Sequence, residues 1–311
     1  MASSLLVLAT IFVLCSFGKA THPGLILTVV NNCPFTIYPA IQPNAGHPVL
    51  ERGGFALHAL THRSFPAPTV HWSGRIWART GCTYSNGHFS CATGDCGHRI
   101  ECNGLGGATP VTIAQFSLHH GGHKDLSSYE VSLVDGFNIP MTVTPHEGKG
   151  LCPVVGCRAN ILATCPGKLQ YRSPPHGPVV GCKSGCAAFG TDELCCRNHY
   201  NSPQTCRASS YSEFFKHACP ATFTYAHDSP SLMHDCSSPH TLTLCLLLRW
   251  DATRRDATRI SEKETMKLET GSSSTASYHP VNCHFTVQYL HFTLIILYAI
   301  RLEFEFNHGF G

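Results

Sequence analysis

Two residue types in this chain have the spacing to do chemistry: cysteine and histidine. There are eighteen cysteines, and sixteen of them lie between Cys33 and Cys245. Thiols at that density either oxidise in pairs or hold metal. Cys91 and Cys96, like Cys152 and Cys157, are separated by four intervening residues and superficially resemble ligand pairs. A structural zinc site needs a matching second pair in a closed tetrahedral set, and an oxidising compartment favours disulfides instead. The 21 histidines include His119, His120 and His123 in one Gly-rich turn. Metal binding there needs a fixed geometry that such a turn supplies poorly, so a solvated loop is the expectation. No metal and no other cofactor is expected.

The compartment is read from the N-terminus. Leu5 to Phe17 is apolar and Gly18-Lys19-Ala20 offers small residues, so residues 1–20 read as a signal peptide. The apolar run is too short to span a membrane. Cys15 falls in this leader and Cys283 far out in the C-terminal tail, leaving an even sixteen whose connectivity spacing alone cannot give. The net charge of +3, with no Lys/Arg block, argues against nucleic acid as a partner.

The elements that must position these residues are mostly strands. With 43% hydrophobic residues among 311, the chain can bury a sizeable core. Leu25, Leu27 and Val29, then Phe35 and Ile37, alternate about Asn31-Asn32 and read as two strands joined by a turn. Arg75 to Arg79, Val111 to Leu118, Tyr129 to Val134 and Ile139 to Val143 continue the pattern between Gly/Pro/Asn clusters, as in an all-β sandwich. Residues 150–210 hold eight of the sixteen cysteines with little periodicity, so cross-links must hold that stretch. One helix is expected at Tyr211 to Ala218, with Ser210 and Glu213 as a capping box and Tyr211, Phe214, Phe215 and Ala218 on one face. Beyond Cys245 the character changes: Asp-Ala-Thr-Arg occurs twice, Gly271 to Ser277 is small and polar, and Phe285 to Ile300 is apolar. A tail outside the fold is expected. An anchor signal fits poorly, because Arg301, Glu303 and Glu305 follow the apolar run.

Gly87-His88-Phe89-Ser90-Cys91-Ala92-Thr93-Gly94-Asp95-Cys96, continuing to Cys102, resembles the signature of the thaumatin-like proteins of plant defence. His98 departs from it, standing where that family usually has Gly or Gln. Gly74 to Cys82, Val131 to Asn138 and Thr191 to Cys196 resemble the same family, and the likeness covers about residues 22–246. It implies a mainly β fold: a flattened β-sandwich with a disulfide-rich lobe, a small loop subdomain and an acidic cleft between the lobes. The implied domains are a leader at 1–20, a thaumatin-like domain at 21–246 and an atypical tail at 247–311. Within the domain, the sandwich core takes 22–80, 109–156 and 219–246, the loop region 81–108, and the disulfide-rich lobe 157–218. The implied disulfides are Cys33–Cys245, Cys82–Cys91, Cys96–Cys102 and Cys152–Cys236, then Cys157–Cys219, Cys165–Cys182, Cys186–Cys195 and Cys196–Cys206.

The resemblance also implies a cleft lined by one Arg and four acids. Carried over by motif, its positions are Arg75, Gln115, Glu130, Asp135 and Asp228, so Gln115 replaces the family's Glu and Glu130 replaces an Asp. Asp135, Glu130 and Asp228 are the catalytic candidates. Glycoside hydrolysis needs one protonated and one ionised carboxyl, and an amide is neither. Glu130 and Asp135, five apart on one expected strand, would also face opposite ways. The expectation is therefore a secreted antifungal protein, apoplastic or vacuolar and monomeric, that binds β-1,3-glucan or another wall polysaccharide. The alternatives are an endo-β-1,3-glucanase and an inhibitor of foreign hydrolases; a fungal membrane is a further partner to test. No Asn-x-Ser/Thr acceptor for N-glycosylation occurs. Intact mass of the secreted protein before and after reduction should report a cleaved leader and eight disulfides; fewer than eight in the domain defeats the implied framework.

Overall fold

The computed structural model describes residues 24–120, 125–229 and 235–246. The expected leader with Cys15, His123, and the tail with Cys283 lie outside the described residues. Among the described residues the strands are β1 (Ile26–Asn31), β2 (Tyr38–Pro43), β3 (His62–Pro66), β4 (Trp72–Ser85), β5 (His88–Thr93), β6 (Ile113–His120), β7 (Leu126–Ser132), β8 (Met141–His146), β9 (Lys149–Leu151), β10 (Val155–Cys157), β11 (Gln170–Arg172), β12 (Val179–Cys182), β13 (Asp235–Ser237) and β14 (Thr241–Leu246). The helices are α1 (Gly185–Phe189) and α2 (Ser210–Ala218). The protein is mainly β, as its alternating segments require.

Two sheets form the sandwich. One orders its strands β10-β8-β14-β1-β3; the other runs β2-β4-β6-β7-β13-β9, with β5 hairpinned onto β4. Alternate positions supply the core: Leu27, Val29, Met141, Val143, Leu242 and Leu244 from the first sheet, and Trp72, Ile76, Ala114, Phe116, Leu118, Tyr129 and Val131 from the second, all buried. The opposite face of the second sheet is the one that matters for function.

β1 falls where the first strand was expected, but β2 begins at Tyr38, after Phe35 and Ile37, and Asn31-Asn32 does not join the two as a hairpin. β1 pairs with β14 and β3, whereas β2 pairs with β4 in the other sheet. Asn31 makes this crossover possible. Fully buried, it donates to Phe35 O, Leu57 O and His58 O and accepts from Cys33 N. The helix cap also moves by one residue. Ser209, in extended backbone, is the N-cap and forms the box with Ser212, which puts Ser210 inside α2 and leaves Glu213 in its first turn.

Part of the second sheet's outer face is roofed by the segment from Gly94 to Val111. Beneath that roof lies Arg79, fully buried. Its Nε donates to Tyr38 O at 2.9 Å, Nη1 to Arg99 O at 2.6 Å and Cys96 Sγ at 3.4 Å, and Nη2 to Pro39 O at 3.2 Å and Ile100 O at 2.7 Å. The five donors of the guanidinium are thereby used, with the Tyr38 and Phe89 rings stacked nearby. Burial draws its pKa down to about 10, against the pull of Asp95. Asp95 organises the same segment by accepting from Cys91, Gly97 and His98 N–H groups. Burial raises its pKa, but these three bonds outweigh burial and leave it below the usual carboxylate value. Trp77 Nε1 donates to Gly94 O at 2.8 Å, and a Cβ on Gly107 would stand 2.5 Å from that same indole nitrogen, so only glycine lets the roof sit this low.

Seven disulfides are present among the described residues: Cys82–Cys91, Cys96–Cys102, Cys152–Cys236, Cys157–Cys219, Cys165–Cys182, Cys186–Cys195 and Cys196–Cys206. Each is typically worth about 2–4 kcal/mol by restricting the unfolded chain. The eighth pair, Cys33 with Cys245, we keep as a proposal. Both residues are buried, and a backbone bond from Asn32 N to Leu246 O at 2.9 Å brings their segments together. In the lobe, Cys157, Cys165, Cys182 and Cys219 pack with Leu133, Phe137, Ile161, Leu169 and Phe215 of α2 into one apolar cluster. Cross-links thus complete a core that these residues are too few to close alone.

The roof contact is testable. Arg79→Lys keeps the charge but cannot reach four carbonyls and a sulfur from one ammonium. Stranding those carbonyls should cost about 3 kcal/mol in urea unfolding with the disulfides intact; an unchanged midpoint refutes the role assigned to Arg79.

Candidate functional site

Strand register sets the site. Gln42 stands opposite Arg75, Arg75 opposite Gln115, and Gln115 opposite Glu130. Directly opposed residues share a face, so these four side chains form one row across β2, β4, β6 and β7 on the outer face, with neighbours about 5 Å apart. The roof covers the preceding row, where Trp77 and Ile113 are buried, and stops short of Arg75. The residues that the resemblance implies for a cleft thus include one polar line drawn from four strands. Gln42, at its β2 end beneath Gly106, was not anticipated from sequence.

Within the row, Gln115 Nε2 donates to Glu130 Oε1 at 2.5 Å. Burial pushes the Glu130 carboxyl above its ordinary pKa, and the Gln115 bond only partly offsets this. Asp135 does not lie on β7 as expected, so strand alternation does not decide which way it faces. The strand ends at Ser132, whose Oγ accepts from Val134 N at 3.3 Å, and the chain turns through Gly136 at φ +94. A Cβ on Gly136 would stand 2.6 Å from Cys182 O, so the turn requires glycine. Val111 N to Asp135 O, the reciprocal Phe137–Cys182 backbone bonds, and Asn138 bonded to Ala78 O, Thr93 and Thr112 fix the turn. Burial raises the Asp135 pKa while Arg75 lowers it by a smaller amount. The two are thus near one another, although no ion pair within 4.0 Å joins them among the described residues.

Asp228 is engaged differently. Its Oδ2 accepts from Thr224 N at 2.9 Å and Thr224 Oγ1 at 3.0 Å, and lies 2.7 Å from Lys216 Nζ on α2. Lys216 also donates to Thr222 O at 2.6 Å. This network holds the segment that pairs with the end of β7 through Phe223 N to Val131 O and Leu133 N to Phe223 O. Three contacts on one oxygen, one of them from a lysine, suit a brace. Register and contacts therefore bring together Arg75, Gln115 and Glu130, couple Asp135 to them, and set Asp228 to a structural task. The floor that results carries few uncompensated charges. A small crevice of about 50 Å³ beside Val134, Leu194 and Tyr225 has room for a few waters only.

The chain resembles known proteins over most of its length. A sequence model of the thaumatin family matches residues 31–246. An osmotin-like protein of Solanum lycopersicum is 75% identical over 242 residues, which span 78% of this chain and 96% of that protein. A glucan endo-1,3-beta-glucosidase of Prunus avium is 41% identical over 79% of this chain and 99% of its own length. Among solved structures, a thaumatin-like xylanase inhibitor aligns with a TM-score of 0.34 at 36% identity, covering 42% of this chain and 81% of its own.

The raised Asp135 pKa has a consequence for stability. Its folded value lies above its unfolded one, so the folded chain holds the proton more readily and stability falls as pH rises through that window. Asp135→Asn removes the buried charge. It should raise Tm at pH 7, and the gain should shrink as pH falls from the raised folded value toward about 4, below which both states are protonated and the gain is gone. A Tm difference independent of pH contradicts the burial account.

Proposed function

This chain belongs to the thaumatin family, and from that premise we propose that it is a secreted plant-defence protein that binds β-1,3-glucan of fungal walls on the Arg75–Gln115–Glu130 row without cleaving it. Relatives named as pathogenesis-related and osmotin-like proteins support the defence class. The glucan follows from chemistry. Amides, a guanidinium and partly buried carboxyls in one line match the donors and acceptors of an uncharged sugar, and the relative named glucan endo-1,3-beta-glucosidase points to the same polymer. The proposed partition is a leader at 1–20, a binding domain at 21–246 and a tail at 247–311; the family match ends at 246.

The contact between Gln115 and Glu130 carries the non-hydrolytic reading. Cleavage needs two carboxyls about 5–5.5 Å or 6.5–9.5 Å apart across the scissile bond. Here the second group is an amide, which neither gives a proton nor acts as a base, and it touches its neighbour instead of leaving room for a bond between them. The remaining acids are Asp135, in a turn beyond the strand, and Asp228, consumed by Lys216 and Thr224.

Co-sedimentation with insoluble β-1,3-glucan, alongside a reducing-sugar assay, tests this. Binding without sugar release is expected, with Arg75→Ala weakening binding about tenfold through loss of a charge-assisted contact. Sugar release that Asp135→Asn abolishes would instead make the protein a glucanase.

A further inference from the structure

The polar row is not the last open line on the sheet. Two residues further along the same strands, on the same face, Ser73 stands opposite Ser117 and Ser117 opposite Ser128. Asn44, just past β2, donates from Nδ2 to Ser73 Oγ at 2.6 Å and extends the line at its edge. His71, exposed just before β4, places Nε2 3.2 Å from Ser117 Oγ. All of these side chains are exposed or half-buried, and Asn44 and the three serines carry no formal charge.

A β-bulge completes the line. The β6–β7 register slips between Ser117 and His120: Ser117 faces Ser128, but His120 rather than His119 faces Leu126. The extra residue, His119, takes the left-handed conformation at φ +54, and its Nδ1 lies 2.6 Å from Asp125 Oδ1. Without the bulge, alternation would turn His120 to the opposite face. With it, His120 joins the open face and its Nε2 lies 2.7 Å from Ser128 Oγ. His119, paired with Asp125, is a positioning residue for this arrangement.

Resting on the glucan reading above, we infer that this second line is a further binding subsite, in which Ser73, Ser117 and Ser128, with Asn44, His71 and His120, take additional units of the same neutral glycan. Three hydroxyls on adjacent strands cover about 10 Å, enough for sugar units beyond those held by the Arg75 row. Each hydroxyl has one donor and two acceptor positions, so a single imidazole or amide contact leaves capacity for a sugar hydroxyl. The line adjoins the first without a break and adds no formal charge from its serines and Asn44, which suits a longer uncharged chain rather than a polyanion. The two rows predict affinity that grows with oligosaccharide length.

Calorimetric titration with a trimeric and a heptameric β-1,3-gluco-oligosaccharide tests this. The unaltered protein should bind the heptamer more tightly than the trimer. Ser117→Ala/Ser128→Ala should lose about tenfold on the heptamer and little on the trimer, as expected for two lost hydrogen bonds. His71→Gln/His120→Gln gives an independent reading if the serine variant fails to fold. Wild-type affinity for both lengths in a folded variant, or equal loss on both, overturns the second subsite alone. Failure of the unaltered protein to bind either oligosaccharide defeats the glucan reading itself, and the subsite with it.

Discussion

The fully buried guanidinium of Arg79 is the interaction on which the outer face of the second sheet depends. A charge taken out of water is costly unless its donors are all met. Here they are met by four backbone carbonyls and a cysteine sulfur drawn from β2 and from the segment after Asp95. The Arg99 and Ile100 carbonyls lie outside any strand, so the arginine does for this irregular segment what pairing does for a strand. It fixes the roof over one half of the sheet face. Arg75, four residues earlier on β4 and on the same face, lies where the roof ends. One strand thus supplies an arginine that builds the cover and another that the cover leaves available.

The exposed half of the face is notable for what its acids are doing. Asp95 serves backbone amides, Asp228 serves Thr224 and Lys216, and Glu130 takes a hydrogen from Gln115. Only Asp135 combines partial burial with a nearby cation and no close partner among the described residues. An acidic groove becomes, in this chain, a mostly compensated line of hydrogen-bonding groups. Under the proposed reading, such a surface would meet a neutral polyol by matching donors to acceptors.

Rigidity under this surface comes from the lobe. Its disulfides hold the Cys182 segment against Phe137 by paired backbone bonds, and that contact in turn fixes the Asp135 turn. The cross-links stabilise the lobe and also set where a carboxylate stands relative to Arg75. The position of Asp135 is thereby inherited in part from covalent constraints in the lobe.

Much of this was legible in the residues. The Gly87–Cys102 segment and the cysteine count pointed to the family, the resemblance then implied the seven bridges, and alternation along the strands gave the mainly β architecture, because a motif and a strand pattern are local properties. Gln115 could be read directly as the loss of an acid. The rest needed the folded chain. That Gln115 touches Glu130 follows from the pairing of β6 with β7. That Asp135 leaves the strand follows from an early stop at Ser132. That Asp228 is a brace follows from a lysine on α2, and that His120 faces outward follows from a single-residue bulge. Each is a matter of register or burial between segments distant in sequence. Residue order sets which groups this protein has; the folded chain sets which of them meet, because one residue of slip moves a side chain from one face of a sheet to the other.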